Sequence, residues 1–107
     1  MVLLAVLATI VLGAGDNGRV VTVPASAEVV LTLASNPSTG YRWSSTSGTV
    51  VSHRYVPPAH QIPGRGGKEV WRFRGPASGT ATVSLVYARP SNAKDVARRF
   101  RVTLRVR

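Results

Sequence analysis

Apolar and polar residues alternate with a period of two along much of this chain, which is the pattern of strands that bury one face. The C-terminal stretch RRFRVTLRVR is the clearest example. Its predicted inward residues are Phe100, Val102, Leu104 and Val106, and its outward residues are Arg99, Arg101, Thr103, Arg105 and Arg107. This stretch therefore predicts a half-buried strand with a cationic outer face.

Three other stretches, AEVVLTL, EVWRFR and TATVSLVYA, show the same alternation. Shorter strands are predicted in RVVTV, in YRWS and in VVSHRYV. No window shows the helical period of about 3.6 residues, and Gly, Pro, Asn or Ser bound the runs. The predicted inward residues of the three longer stretches are Val29, Leu31, Leu33, Trp71, Phe73, Ala81, Val83, Leu85 and Tyr87.

The spacing of strands and turns predicts an all-β fold, an immunoglobulin-like β-sandwich of about seven or eight strands. Trp43 lies early in the third of these predicted strands, where such sandwiches commonly keep a core tryptophan. The chain has no cysteine, so the sandwich must form without a disulfide. A small closed barrel is the alternative architecture.

The first fifteen residues, MVLLAVLATIVLGAG, contain an apolar block from Val2 to Leu12 that is followed by small residues. The block is shorter than the roughly 20 residues that a membrane-spanning helix needs. It matches the apolar core of a secretory signal cleaved after Gly15, although no Lys or Arg precedes it. We therefore predict a signal peptide or hydrophobic N-terminal segment in residues 1–15, one domain in residues 16–107, and a secreted or periplasmic location. A first strand buried in the fold is the alternative for this segment.

All 14 basic and all 4 acidic residues lie in residues 16–107, which carry the whole formal charge of +10. A charge of this size attracts anionic partners but does not specify a fold. Catalysis is not expected, because the chain has no cysteine nucleophile and no GxSxG serine motif, and its acids are scattered. His53 and His60 are interpreted as a strand residue and a loop residue, since neither has a positioned partner in the sequence. We expect no catalytic residue, no metal and no cofactor.

The uncharged stretch NPSTGY stands between two predicted core strands. Pro37 fixes its own φ and favours an extended residue before it, while Gly40 can adopt a positive φ. The polar side chains of the stretch can bond to nearby backbone groups. These properties predict a stiff, protruding connection, which turn chemistry alone would explain as a well-made turn. Its residues are Asn36, Pro37, Ser38, Thr39, Gly40 and Tyr41.

Two further stretches have the composition of contact loops. The three glycines of GRGG allow a close approach to another surface, whereas a phosphate-binding loop would need a following Lys-Ser/Thr and a helix. In ARPSN, the Arg-Pro pair is expected to end a strand and to hold a cation at its tip. Taken singly, each stretch is as typical of an ordinary loop as of a contact loop. The residues concerned are Gly64, Arg65, Gly66, Gly67, Arg89, Pro90 and Ser91.

Taken together, NPSTGY, GRGG and RP resemble, in order and spacing, the loops of the chagasin-type family of cysteine-protease inhibitors. Counterparts of DNGRVVTV, YVPP, SGTATVSLVYARP and RRFRVTLRVR extend the resemblance over essentially residues 16–107. The resemblance implies an immunoglobulin-like β-sandwich with the three loops side by side at one end. It also implies reversible, non-covalent inhibition without a cofactor.

By the same resemblance, NPSTGY enters the substrate cleft of a papain-like protease with Thr39 nearest to the catalytic cysteine, and the other two loops grip the rims of the cleft. The family typically has an aromatic residue, usually Trp, directly after RP, where this chain has Ser91. An interface Trp is often worth about 2 kcal/mol or more, so we expect weaker binding or a different target range. Ser38 in place of the commoner Thr is a milder departure.

Two other classes of function fit parts of the pattern. A secreted structural or adhesion module of immunoglobulin type would use the loops only as turns. A cationic nucleic-acid-binding β domain would use the arginine face, but the aromatic residues Trp71, Phe73 and Phe100 fall on apolar faces. We therefore expect a papain-like cysteine protease as the partner, no nucleic acid, no stable membrane insertion, and a monomer.

Overall fold

The computed structural model describes residues 8–60 and 64–107, which form eight β-strands and two short 3₁₀ turns. The strands are β1 Thr9–Gly13, β2 Val20–Val23, β3 Glu28–Ser35, β4 Arg42–Ser47, β5 Thr49–Val56, β6 Gly67–Arg74, β7 Thr80–Arg89 and β8 Asn92–Val106. The turns are Ala14–Asp16 and Pro37–Thr39. Within this described part of the chain, no helix has the length and apolarity needed to cross a membrane.

The strands form two four-stranded sheets, in the orders β1-β3-β6-β5 and β2-β8-β7-β4. Neighbouring strands are antiparallel except at one edge of each sheet, where β1 runs parallel to β3 and β2 runs parallel to β8. The first two strands of the chain, β1 and β2, therefore each supply an edge strand to one of the two sheets. This arrangement confirms the predicted all-β sandwich without a disulfide.

The core lies between the two sheets and contains the residues that alternation places on the inward faces. All of these predicted residues are buried except Ala81 and Val106, which are half-buried. Trp43 is buried as predicted, and Phe73 and Leu31 have no exposed surface. Burying a side chain of this size contributes about 1.5 to 3 kcal/mol. A one-residue slip would turn the whole set to solvent, so the apolar pattern fixes the strand register.

The end of the predicted hydrophobic N-terminal segment forms β1, which pairs in register with the first half of β3. Leu12 is only 6% exposed in the core, and Ile10 packs against the same cluster. For Thr9–Gly13, the structure thus shows the alternative prediction, a strand within the fold. Residues 1–7 lie outside the described residues, and cleavage after Gly15 stays a prediction. Such cleavage would remove β1 and leave β3 as the edge of its sheet.

Candidate functional site

The stretch from Asn36 to Tyr41, here called loop 1, connects β3 to β4 through one 3₁₀ turn. The side-chain oxygen of Asn36 accepts hydrogen bonds from the Ser38 amide at 3.3 Å and from the Ser38 hydroxyl at 2.6 Å. The Thr39 hydroxyl donates to the Asn36 carbonyl at 2.7 Å. Most side-chain hydrogen bonds of loop 1 therefore run back into the loop, which makes the turn stiff as predicted.

Gly40 closes loop 1 in the left-handed conformation, with a φ of 84°. Its amide donates to the Pro37 carbonyl at 3.0 Å, which ends the 3₁₀ turn. Residues with a side chain adopt this conformation at a cost of about 1–2 kcal/mol, whereas glycine does not. Residues 37–40 are all exposed, so loop 1 presents an uncharged, preformed tip to solvent.

Gly64–Gly67, here called loop 2, leads into β6 and lies directly against loop 1. The side-chain amide of Asn36 donates to the Gly64 carbonyl at 2.9 Å. A Cβ atom on Gly66 would lie 2.6 Å from the Ser35 carbonyl oxygen, so only glycine allows this approach of the two backbones. Arg65 is exposed beside this contact.

Arg89–Ser91, here called loop 3, is the tip of the hairpin between β7 and β8. The Arg89 guanidinium lies over the Tyr41 ring at 4.7 Å and pairs with the Asp95 carboxylate at 3.4 Å. The sequence pattern predicts a cation held at the tip of this hairpin. In the structure, the Arg89 side chain instead points back towards loop 1. Pro90 and Ser91 form the exposed turn itself.

A stack of tyrosines joins loops 1 and 3 to the core. The Tyr41 and Tyr87 rings are 5.4 Å apart, and the Tyr87 hydroxyl accepts a hydrogen bond from the Asn36 amide at 2.8 Å. The Tyr41 hydroxyl donates to Asp95 at 2.9 Å. Since Tyr41, Tyr87 and Asp95 come from different strands or loops, the relative position of loops 1 and 3 is determined by tertiary contacts.

The hydrogen bond from its hydroxyl to Asp95 raises the pKa of Tyr41 above the ordinary value of 10, with a smaller effect of burial in the same direction. Because the folded-state pKa is raised, this contribution to stability is complete below about pH 10 and is lost as the pH rises through the folded pKa. We expect the Asp95→Ala variant to lower the pKa of Tyr41. A spectrophotometric phenolate titration measures this, with Tyr41→Phe as the control that identifies the transition. An unchanged titration curve in Asp95→Ala would contradict the contact.

A buried carboxylate holds the two ends of loop 1. Glu69, whose side chain is 5% exposed, accepts hydrogen bonds from the Ser35 hydroxyl at 2.6 Å and the Trp43 amide at 3.3 Å. His53 Nε2 lies 2.7 Å from the other carboxylate oxygen, and its ring stacks on Trp71 at 4.0 Å. Ser35 and Trp43 flank loop 1 in sequence, so Glu69 fixes the width of the base of the loop.

In the sequence, Glu69 is one of four scattered acids, and its function at the base of loop 1 is not predicted. A signal was present, because Glu69 has the same parity as Trp71 and Phe73 in EVWRFR and must therefore face the core. His53 is a strand residue as predicted and His60 lies outside the strands. In residues 8–60 and 64–107, no group of three potential metal-binding side chains occurs.

The three predicted loops are thus assembled at one end of the sandwich, with Asn36 bonded to loop 2 and Tyr41 beneath Arg89 of loop 3. The structure describes every predicted site residue, namely Asn36 to Tyr41, Gly64 to Gly67 and Arg89 to Ser91. Residues 61–63, which precede loop 2, lie outside the described part. Such a cluster offers a rigid, mostly uncharged wedge that contains neither cysteine nor histidine.

The chain matches one family model and is similar to known proteins in both sequence and fold. The family model described as Chagasin family peptidase inhibitor matches residues 22–106. Chagasin from Trypanosoma cruzi is 36% identical over 83 residues, which make up 69% of this chain and 76% of that protein. Amoebiasin-1 from Entamoeba histolytica is 34% identical over 86 residues, or 75% of this chain and 84% of that protein. The cysteine protease inhibitor EhICP2 from Entamoeba histolytica has the same fold, with a TM-score of 0.72 at 20% identity over 94% of this chain and 97% of that one.

Proposed function

Because the chain belongs to the chagasin family of peptidase inhibitors, we propose that it inhibits papain-like cysteine proteases reversibly and without a covalent bond. The chain is an inhibitor and not an enzyme, as the nature of this family establishes. The observation that carries the proposal is the contact of loops 1, 2 and 3 at one end of the sandwich. The Asn36–Gly64 hydrogen bond and the Arg89–Tyr41 contact hold the three loops together as one surface.

Loop 1 is the element that would enter the protease cleft, with Thr39 beside the catalytic cysteine. Its internal hydrogen bonds hold the bound shape before docking, so little conformational entropy is lost and more of the contact energy remains as affinity. The same stiffness would keep the loop backbone out of the geometry that attack by the thiolate requires, so the loop is not cleaved. The thiol belongs to the protease, and this chain supplies no cysteine to react with it.

Loops 2 and 3 would contact the two rims of the cleft. Loop 2 is exposed at Gly64 and Arg65, where its backbone could form strand-like hydrogen bonds to an extended segment of the protease. Arg89 is held by Asp95 and Tyr41, so loop 3 offers a positioned guanidinium rather than a mobile one. Three separate contacts to one groove explain how a small chain could bind a protease tightly without forming a covalent bond.

The direct test is titration of papain or a cathepsin L-like protease with the full chain, followed by recovery of the inhibitor. We expect residual activity to fall in proportion to added inhibitor, to return on dilution, and to leave the chain uncleaved. Full protease activity at micromolar concentrations of the chain would refute the proposal. Cleavage within loop 1 at the rate of a substrate would refute the proposal that loop 1 occupies the cleft without being cleaved.

Ser91 is the position at which loop 3 departs from the aromatic residue typical of the family. It is exposed at the hairpin tip, so an added ring would meet the target and not the core. We expect the Ser91→Trp variant to inhibit about 10-fold more tightly, because an interface Trp commonly contributes more than 1 kcal/mol. The inhibition constant measures the effect. A matched Ser78→Trp variant, in the exposed turn after β6, should leave the constant unchanged, since that turn is at the other end of the sandwich.

We further propose that the chain is a monomer and acts outside the cytoplasm, in a secreted or periplasmic location. The apolar block within residues 1–15, which matches the core of a secretory signal, supports this location. N-terminal sequencing of the exported chain tests the cleavage after Gly15, and sedimentation tests the monomer. Because β1 is part of the sheet, an uncleaved chain with residues 9–13 retained would favour the strand over the signal.

A further inference from the structure

Three of the four acidic residues of this chain pair with arginines, and the fourth, Glu69, contacts His53. Asp16 accepts from Arg19 at 3.0 Å, and the other three carboxylates lie on β3, β6 and β8. The four pairs are Asp16–Arg19, Glu28–Arg72, Glu69–His53 and Asp95–Arg89. Since the chain contains 14 basic and only 4 acidic residues, most of its cations have no intramolecular counter-charge.

Three of these cations lie in one line on β8. Arg99, Arg101 and Arg105 alternate with buried residues of the same strand, so they share the outer face of the sheet β2-β8-β7-β4. Their neighbours on the adjacent strands are small and uncharged. By register these neighbours are Val86 beside Arg99, Ser84 beside Arg101, and Thr80 and Thr22 on either side of Arg105. In the described residues, no acidic side chain pairs with any of the three arginines.

The strand that carries the line is held on both sides. Along β7 it is paired continuously from Arg98 to Arg105. On the other side, the Arg101 amide donates to the Asn17 side chain at 2.9 Å, and the Gly18 amide donates to the Arg101 carbonyl at 2.7 Å. The rise per residue of a strand therefore separates the Cα atoms of Arg99 and Arg101 by roughly 7 Å and those of Arg101 and Arg105 by roughly 13 Å. The pairing on both sides keeps these backbone distances fixed.

We propose that this line of arginines binds a sulfated polysaccharide. A linear array of guanidinium groups on rigid backbone fits a linear chain with regularly spaced anionic groups, and guanidinium binds such oxyanions in a planar, bidentate manner. The surface is distinct from loops 1–3, so this activity is additional to protease inhibition. It would hold the inhibitor at an anionic matrix or cell coat.

Two other anionic partners fit the face less well. Single-stranded nucleic acid needs exposed rings for stacking, and the described residues on this outer face include none, because Trp43, Tyr87 and Phe100 are buried. A lipid bilayer is a plane that is usually held by aromatic or large apolar anchors as well as cations. The side chains beside the three arginines are Ser, Thr and Val, and they include no aromatic anchor, so the line of arginines matches a polymer better than a bilayer.

The test is the elution of the full chain from immobilised heparin in a salt gradient. The variant Arg99→Ser with Arg101→Ser is compared with the variant Arg54→Ser with Arg74→Ser, which removes the same charge from β5 and β6 of the other sheet. We expect the first pair to elute at clearly lower salt and to reduce the slope of log affinity against log salt by about 1.5. The second pair should elute close to the unaltered chain.

Each outcome of this experiment decides the proposal. Equal shifts for the two double variants would overturn it, because general charge and not the β8 line would then govern retention. Tighter binding to single-stranded DNA, or to vesicles containing phosphatidylserine, with the same dependence on Arg99 and Arg101 would assign the face to those partners instead. Protease inhibition should be unchanged in both double variants, which separates this proposal from the function of the loops.

Discussion

The Gly40→Val variant is expected to inhibit a papain-like protease about 30-fold less tightly than the unaltered chain. Valine is strongly disfavoured at the φ of 84° that closes loop 1. Loop 1 is expected to relax from this conformation, and restoring its preformed shape on docking costs about 2 kcal/mol, which lowers the affinity by that amount. The steric surroundings add little, since a Cβ on Gly40 would lie 3.9 Å from the Arg89 side chain. The inhibition constant against one protease measures the effect.

A matched control separates the loop from the strain itself. Gly79 precedes β7 at the opposite end of the sandwich, has a φ of 70°, and has open space around its missing Cβ. The Gly79→Val variant should therefore lose a similar amount of stability in thermal unfolding and keep its inhibition constant. Equal inhibition by Gly40→Val and the unaltered chain would show that the preformed shape of loop 1 does not matter.

The Glu69→Ala variant is expected to lower the free energy of unfolding by about 3 kcal/mol. The buried carboxylate accepts from the Ser35 hydroxyl and the Trp43 amide, and truncation leaves both buried donors without this acceptor and removes the contact with His53. The base of loop 1 loses its fixed width at the same time, so inhibition should weaken as well. Denaturant unfolding measures the first effect and the inhibition constant the second.

Two variants test this account of Glu69. Glu28→Ala removes a partly exposed carboxylate that pairs with Arg72 on the outer face, and surface pairs are worth at most about 1 kcal/mol. Glu69→Gln keeps the shape of the side chain and one acceptor oxygen, so it should recover part of the stability. If Glu69→Ala were no more destabilising than Glu28→Ala, the buried network would have no structural importance.

The strands and their buried faces could be predicted because each alternating run has one apolar face, and only one register buries it. Val29, Leu31 and Leu33 show this in β3, where all three lie in the core. The segment from Thr9 to Gly13 was harder to assign, because a short apolar run looks the same in a signal peptide and in an edge strand. Its assignment to β1 depends on pairing with β3, which is not visible locally.

The site was predictable to the extent that its chemistry is local. Asn36, Pro37 and Gly40 specify the turn of loop 1 by their own backbone preferences, and the structure has that turn. The contacts between loops are not local. Tyr87 and Asp95 each lie more than fifty residues in sequence from the loop 1 residue to which they hydrogen-bond, and they contact it only after folding. Cross-chain contacts of this kind require the register of both sheets before they can be inferred.

The position of Trp43 gives the molecule an internal optical reporter. Its indole donates to the Ala34 carbonyl at 3.0 Å, and its ring lies 5.0 Å from Tyr87, which itself holds loop 1. Indole emission changes with its surroundings, so a protease that seats on this end should alter the fluorescence of Trp43 without any added dye. In a Trp71→Phe background Trp43 would be the single emitting indole, and stopped-flow mixing could then follow docking in real time.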